Sequence, residues 1–387
     1  MGVMRAESLR APEPAGLRLA IVHDALLTFG GAERVVAAWH RRWPEAPIYT
    51  SVYLPDDTFP EFRRARVVTS FLQRFARDPQ TVLRRLSPLM VPGFRSFDFS
   101  GYDVVLSSSA YAAKAVRVPE HVCHVSYCHS PFRLAWRSED YLGTDAPWMK
   151  RVGLNVLAPF LRRWDRNVSR EVDFFSTNSL NVRQRILAAY GRHAEVIPAP
   201  VDLSRFHPGE VGDYYLVVSR LTRYKRVDLA IQAASQLGRR LIVVGDGPDR
   251  RKLESLANGN VTFLGSVSED VLRDLYARCR ALLYPQEEDY GLAPLEAMAS
   301  GRPVVAYGVG GAAETIVHKE TGILFQEQSV ESLVEAIRLL EATPFDPIRI
   351  RGHASRFAVE PFCDRVESFV QSCLTTFRAR LPAGGKS

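Results

Sequence analysis

The feature that most constrains this chain is an alternation of short apolar runs, glycine-punctuated turns and amphipathic stretches, which is played out twice and broken once, in the middle. Residues 17–27 form an apolar run, Gly30 and Gly31 interrupt it, and Ala32, Val35, Val36 and Trp39 then recur at the i, i+3, i+4, i+7 spacing of one helix face. Runs at 102–108, 121–129 and 173–179 read as further strands separated by helical stretches. Strands that are apolar throughout belong to parallel sheets covered by helices on both faces. Three prolines between Val196 and Gly209 (198, 200 and 208) then end the periodicity, as expected of a linker. Beyond it the alternation restarts. Strands are expected at 214–220, 239–248, 261–265, 281–285 and 302–307, and helices at 226–237, 268–279 and 292–300.

The expected fold class is therefore α/β, with two Rossmann-like units whose carboxyl-terminal strand edges face each other across a cleft. The boundaries are 17–200 for the first domain and 201–350 for the second. A terminal helix and tail, 351–387, can pack back on the first domain. The 387 residues suit two domains, and 46% hydrophobic with 24% charged residues excludes disordered and fibrous classes. Five cysteines, at 123, 128, 279, 363 and 373, match neither redox nor zinc spacing and read as reduced thiols. No stretch of 18 apolar residues and no signal-peptide core occurs, so a cytoplasmic protein is expected. Residues 1–16 and the last seven read as frayed ends.

Two segments carry chemistry. In Glu288-Asp-Tyr-Gly-Leu-Ala-Pro-Leu-Glu296, two carboxylates flank a glycine turn that leads from a strand into a helix, whose first-turn N–H groups suit a phosphorylated, hydroxyl-rich ligand. In Arg220-Leu-Thr-Arg-Tyr-Lys-Arg226, four cations follow a strand, and Arg220 with Lys225 can converge on a diphosphate. Each also has a plain reading, as a helix-end carboxylate with a solvated neighbour and as a solvated basic loop.

Together these residues resemble the family-4 retaining glycosyltransferases of the GT-B fold. Glu288 and Glu296 match the E-x7-E pattern, Arg220 and Lys225 the R-x4-K pair, and Gly30 and Gly31 the glycine loop after the first strand. The resemblance runs from about residue 17 to 345. Within the family, HDALLTFGGAERV, YCHSPFRLAW and EDYGLAPLEAMA are most similar to GDP-mannose-using mannosyltransferases of bacterial O-antigen and exopolysaccharide assembly. The resemblance implies that Arg220 and Lys225 neutralise the leaving diphosphate and that Glu296 accepts hydrogen bonds from the ribose. It further implies that Glu288 binds the donor hexose, with the Tyr290, Gly291 and Leu292 backbone nearby. Gly30 and Gly31 admit close approach of backbone to phosphate. His129, at the end of a first-domain strand, would face the donor sugar.

No carboxylate offers itself as a glycosidase-type nucleophile. The resemblance implies front-face substitution, in which the leaving phosphate takes the acceptor proton. No cofactor and no essential metal are expected. Asp56-Asp57 has neither the spacing nor the context of a metal-binding DxD. The partners implied are a nucleotide sugar and a lipid-linked or oligosaccharide acceptor.

The net charge of +7 lies in the first half: residues 1–200 hold 27 Lys+Arg against 19 Asp+Glu, and residues 201–387 hold 23 against 24. Segment 61–95, with eight arginines and two acids, and segment 148–166 resemble interfacial amphipathic surfaces for anionic lipid. Solvated faces of core helices are the plain alternative, and no nucleic-acid motif accompanies the charge. A UDP-sugar donor fits the same residues. A nicotinamide oxidoreductase fits less well, because FGGAE is not GxGxxG. A non-catalytic bilobal sugar-binding protein would not need the diphosphate clamp.

Overall fold

The computed structural model describes residues 17–137 and 148–381. Of the terminal segments read as frayed, 1–16 and 381–387, all but Leu381 lie outside it. The first sheet is parallel, in the order β3-β2-β1-β4-β5-β6-β7. Its strands are β1 (Leu19–His23), β2 (Ile48–Thr50), β3 (Val67–Thr69), β4 (Val104–Ser109), β5 (Cys123–Cys128), β6 (Phe174–Thr177) and β7 (Ala194–Val196). The second sheet is parallel too, in the order β10-β9-β8-β11-β12-β13. Its strands are β8 (Tyr214–Val218), β9 (Arg240–Val244), β10 (Val261–Gly265), β11 (Leu282–Tyr284), β12 (Val304–Tyr307) and β13 (Gly322–Phe325).

Both sheets reverse their winding beside their first strand, between β1 and β4 and between β8 and β11. Ligands bind open α/β sheets at such switch points, beyond the strands' carboxyl ends. The loops that leave β1, β5, β8 and β11 are the ones carrying Gly30, His129, Lys225 and Glu288. Four strands, β2, β3, β7 and β13, were not foreseen. They are three or four residues long, too short to show a period of their own.

The central strands are buried on both faces. Every residue of β1, β4 and β5 is buried, with helices on either side of the sheet. Trp39, fully buried on the helix Gly31–Arg42, meets Tyr127 of β5 edge-on at 5.8 Å. The last helix, Val359–Arg380, belongs to the same core. Its Phe362 lies 6.0 Å from Tyr127, and Arg365 donates to the Val196 carbonyl at 2.6 Å. The chain thus crosses between the domains twice, and the crossings meet where the Val201 N–H donates to the Phe357 carbonyl at 2.8 Å. No helix among the described residues is long and apolar enough to cross a membrane.

Candidate functional site

A cleft of about 350 Å³ opens where the two sets of loops face each other, near the lower end of the roughly 300–1,000 Å³ typical of ligand pockets. Gly31, His129, Lys225, Glu288, Tyr290, Gly291 and Leu292 all line it. The second-domain wall is built by one turn. Gly291 precedes the helix Leu292–Ala299 at φ +89°, where a Cβ would overlap the Tyr284 hydroxyl, so the sharp change of direction requires glycine. Tyr290 anchors the turn by donating to the Ala199 carbonyl at 2.7 Å, and Gly311 N–H donates to the Glu288 carbonyl at 2.9 Å. Across the cleft a Cβ on Gly31 would stand 2.9 Å from Leu292 Cδ1, so this glycine lets the domains close up. Gly30, just outside the wall, is the N-cap of the helix Gly31–Arg42.

Lys225 and Glu288, 63 residues apart in sequence, form an ion pair on this wall. From the first domain Arg133 reaches the same carboxylate, Nη2 to Oε2 at 3.3 Å, and donates from Nε to Asp289 at 2.9 Å. Burial opposes the charge of Arg133, but Asp289 and Glu288 outweigh it and hold the guanidinium more firmly protonated than usual. Arg185 pairs with Asp289 and, at 3.0 Å, with Glu287, which also takes Arg137 at 3.1 Å. Ser179 Oγ donates to the Asp289 carbonyl at 2.7 Å, and Glu314 accepts the Leu180 and Asn181 N–H groups at 2.6 and 2.8 Å. Three consecutive second-domain acids are therefore gripped by first-domain arginines. The acids are visible in the sequence as a run, but nothing local links them to residues 133, 137 and 185.

His129 ends β5 with its Nε2 2.8 Å from Ser108 Oγ, which is in turn 3.0 Å from His23 Nδ1. The serine has one hydrogen, so it donates to one ring and accepts from the other. Burial, aided by His23, lowers the His129 pKa to about 3, so the imidazole is neutral at physiological pH. This relay was missed because its members leave β1, β4 and β5, more than 80 residues apart at the extremes.

Besides Gly30, two expected residues stand apart from the cleft lining. Arg220 is exposed, because its carbonyl accepts the Thr222 N–H at 2.9 Å in a turn that sends Lys225 inward and Arg220 outward. Glu296 is buried in the domain interface. Tyr276 donates to it at 2.9 Å and Arg34, from the first domain, pairs with it at 3.2 Å.

Residues 29–205 match the family model Glycosyltransferase Family 4, and residues 206–354 match Glycosyl transferases group 1. A GDP-mannose-dependent alpha-(1-6)-phosphatidylinositol monomannoside mannosyltransferase of Mycobacterium tuberculosis is 32% identical over 219 residues, 48% of this chain and 57% of that one. The human alpha-1,3/1,6-mannosyltransferase ALG2 is 31% identical over 191 residues, 41% of this chain and 45% of that one. The chain spans about half the length of the curated relatives it matches. Among solved structures, Anabaena Alr3699/HepE in complex with UDP-glucose superposes with a TM-score of 0.70 at 20% identity, over 92% of this chain and 99% of that one, which is a likeness of fold.

Proposed function

The chain belongs to the family-4 glycosyltransferases of the GT-B fold, and from that premise we propose that it transfers mannose from GDP-mannose to a lipid-linked or oligosaccharide acceptor, with retention, in bacterial surface polysaccharide synthesis. The observation that carries this reading is the meeting of Lys225, Glu288 and neutral His129 on the walls of one cleft at the two switch points. The mannosyltransferase names of the relatives support the donor.

Leaving-group charge is the main electrostatic demand of this transfer, and a preorganised cation meets it best in a water-poor cleft. Lys225 supplies that cation. A donor diphosphate competes with Glu288 for it, freeing the carboxylate for hexose hydroxyls. Arg220, on its exposed turn, would have to swing inward to join. Glu296 would trade Arg34 for ribose hydroxyls. His129 presents its second ring nitrogen to the sugar, and the leaving phosphate accepts the acceptor's proton. The proposed chemistry uses no metal or cofactor, so excess chelator is expected to leave the rate unchanged; strict dependence on added metal would overturn that part.

The helix Trp148–Ser169 bears on the acceptor. Trp148, Val152, Val156 and Phe160 recur every four residues and are exposed, Trp148 to 72%. Its single acid, Asp165, is fully buried, so the outward charge of the helix is basic. Phe71 and Phe75, in the arginine-rich 61–95 segment, are exposed as well. We read this as peripheral contact with an anionic membrane on the cytoplasmic side.

Thermal shift with GDP, UDP, ADP and NAD, followed by turnover of GDP-mannose and UDP-glucose, tests the donor. Stabilisation by GDP with turnover of GDP-mannose is expected; a response to UDP alone would keep the fold and replace the donor, as the UDP-glucose complex of the Anabaena protein would favour.

A further inference from the structure

Two polar side chains of the cleft wall have no part in the scheme above. Asn178 follows β6 in the first domain, and Gln286 follows β11 in the second, two residues before Glu288. Both line the cleft, and their side chains are among the most buried polar groups there, 6% and 2% exposed. Asn178 Oδ1 and Gln286 Oε1 have no hydrogen-bond partner among the described residues. A buried amide oxygen without a donor carries the full cost of its desolvation, and native proteins rarely leave one so without a use for it.

The neighbours identify the use. Arg133 and Arg185 are spent on Glu287, Glu288 and Asp289, and the His129 Nε2 on Ser108. With these donors committed, Asn178 Oδ1 and Gln286 Oε1 are left without a bonded donor among the described residues. What satisfies two isolated carbonyl-type oxygens in a cleft is a ligand rich in O–H donors. We propose that Gln286 and Asn178 are specificity-determining residues that accept hydrogen bonds from sugar hydroxyls, Gln286 from the donor hexose held by its own turn and Asn178 from the acceptor sugar entering along the first domain. This rests on the reading of the cleft as a hexose site. A site built to accept from a hydroxyl discriminates strongly against an analogue lacking it, because the buried oxygen is then stranded.

The test uses the full chain with Gln286→Met and Asn178→Leu, which keep bulk and remove the acceptor. Calorimetric affinity for GDP alone is expected to change less than threefold in either variant. Gln286→Met is expected to lower kcat/KM for GDP-mannose by about 100-fold, and Asn178→Leu to raise the acceptor KM with little effect on the donor KM. A series of deoxymannose donors supplies the decisive arm: the wild type loses rate on the one lacking the hydroxyl that Gln286 reads, and Gln286→Met shows no further loss on that donor. Unchanged kcat/KM, or equal losses on every donor of the series, overturns the assignment of Gln286. An unchanged acceptor KM overturns that of Asn178.

The melting temperature of the free protein is a second readout. Removing a stranded acceptor leaves it unchanged or higher, whereas removing a structural hydrogen bond lowers it, and a fall of more than about 5 °C overturns the proposal. If the wild type turns over no GDP-mannose, the donor reading falls by itself, and the melting temperatures still decide whether these amides serve the fold.

Discussion

Among the described residues, two lysine–carboxylate pairs look alike as chemistry and differ in everything around them. Lys114 and Asp165 lie 2.9 Å apart with side chains 1% and 0% exposed. Lys114 also donates to the Tyr111 carbonyl at 2.8 Å, and Asp165 accepts from Trp136 Nε1 and Tyr190 Oη, both at 2.8 Å. Burial alone pushes the Lys114 pKa down, but Asp165 outweighs it and the net direction is up. Lys225 and Glu288 are 16% and 10% exposed, with one further partner, Arg133, and an open side that faces the cleft. A saturated pair ties helix to loop; an unsaturated pair on a cleft wall can exchange partners. Local satisfaction, and not the ion pair itself, separates structure from function here.

Breaking the saturated pair should give the largest effect. Lys114→Ala leaves the Asp165 charge buried and uncompensated, and is expected to cost about 3–5 kcal/mol in chemical denaturation. Loss below about 1 kcal/mol would erase the distinction. Lys225→Ala should do the reverse. Stability is expected to stay nearly constant while kcat/KM falls about 100- to 1,000-fold, the range for removing one transition-state donor. Equal losses of stability and rate would merge the two pairs into one class. A smaller effect is expected from Glu296→Ala, which should weaken GDP binding about tenfold in calorimetry, because charge-assisted ribose hydrogen bonds contribute roughly 1.5–3 kcal/mol and Arg34 remains to interfere. Unchanged affinity would sink the ribose role.

The comparison sharpens further through pH. Burial lowers the pKa of His129 to about 3 and of His124 to about 4, below the ordinary histidine value of 6.5. A histidine depressed in the folded state binds its proton first in the unfolded chain. Stability is therefore full above pH 6.5 and declines as pH falls toward 4, by at most about 1.4 kcal/mol per pH unit for each group. Denaturation midpoints flat from pH 7 to 5 would contradict the neutral imidazole assigned to His129.

What the sequence made legible follows from the same contrast. The second-domain wall is contiguous: Tyr290, Gly291, Leu292 and Glu288 share one turn, so spacing alone brings them together. The first-domain wall is assembled from strand ends. Arg133, Asn178 and His129, whose ring is held by the pair His23–Ser108, come together only because β1, β4, β5 and β6 lie side by side. Glu296 shows where motif reading stops, since its position was foreseen and its partner Arg34, on another domain, was not. Strands such as β1 and β8 announced themselves by apolar runs, whereas β2 and β13 took their form from the neighbours they pair with.

The double crossing of the chain has a mechanical meaning. Because the linker and the segment before the last helix are tied together at Val201 and Phe357, the two halves share one pivot instead of a single flexible tether. A body joined at one pivot can swing but not drift. Rotation about that pivot would have to release Arg133 and Arg185 from the three carboxylates Glu287, Glu288 and Asp289.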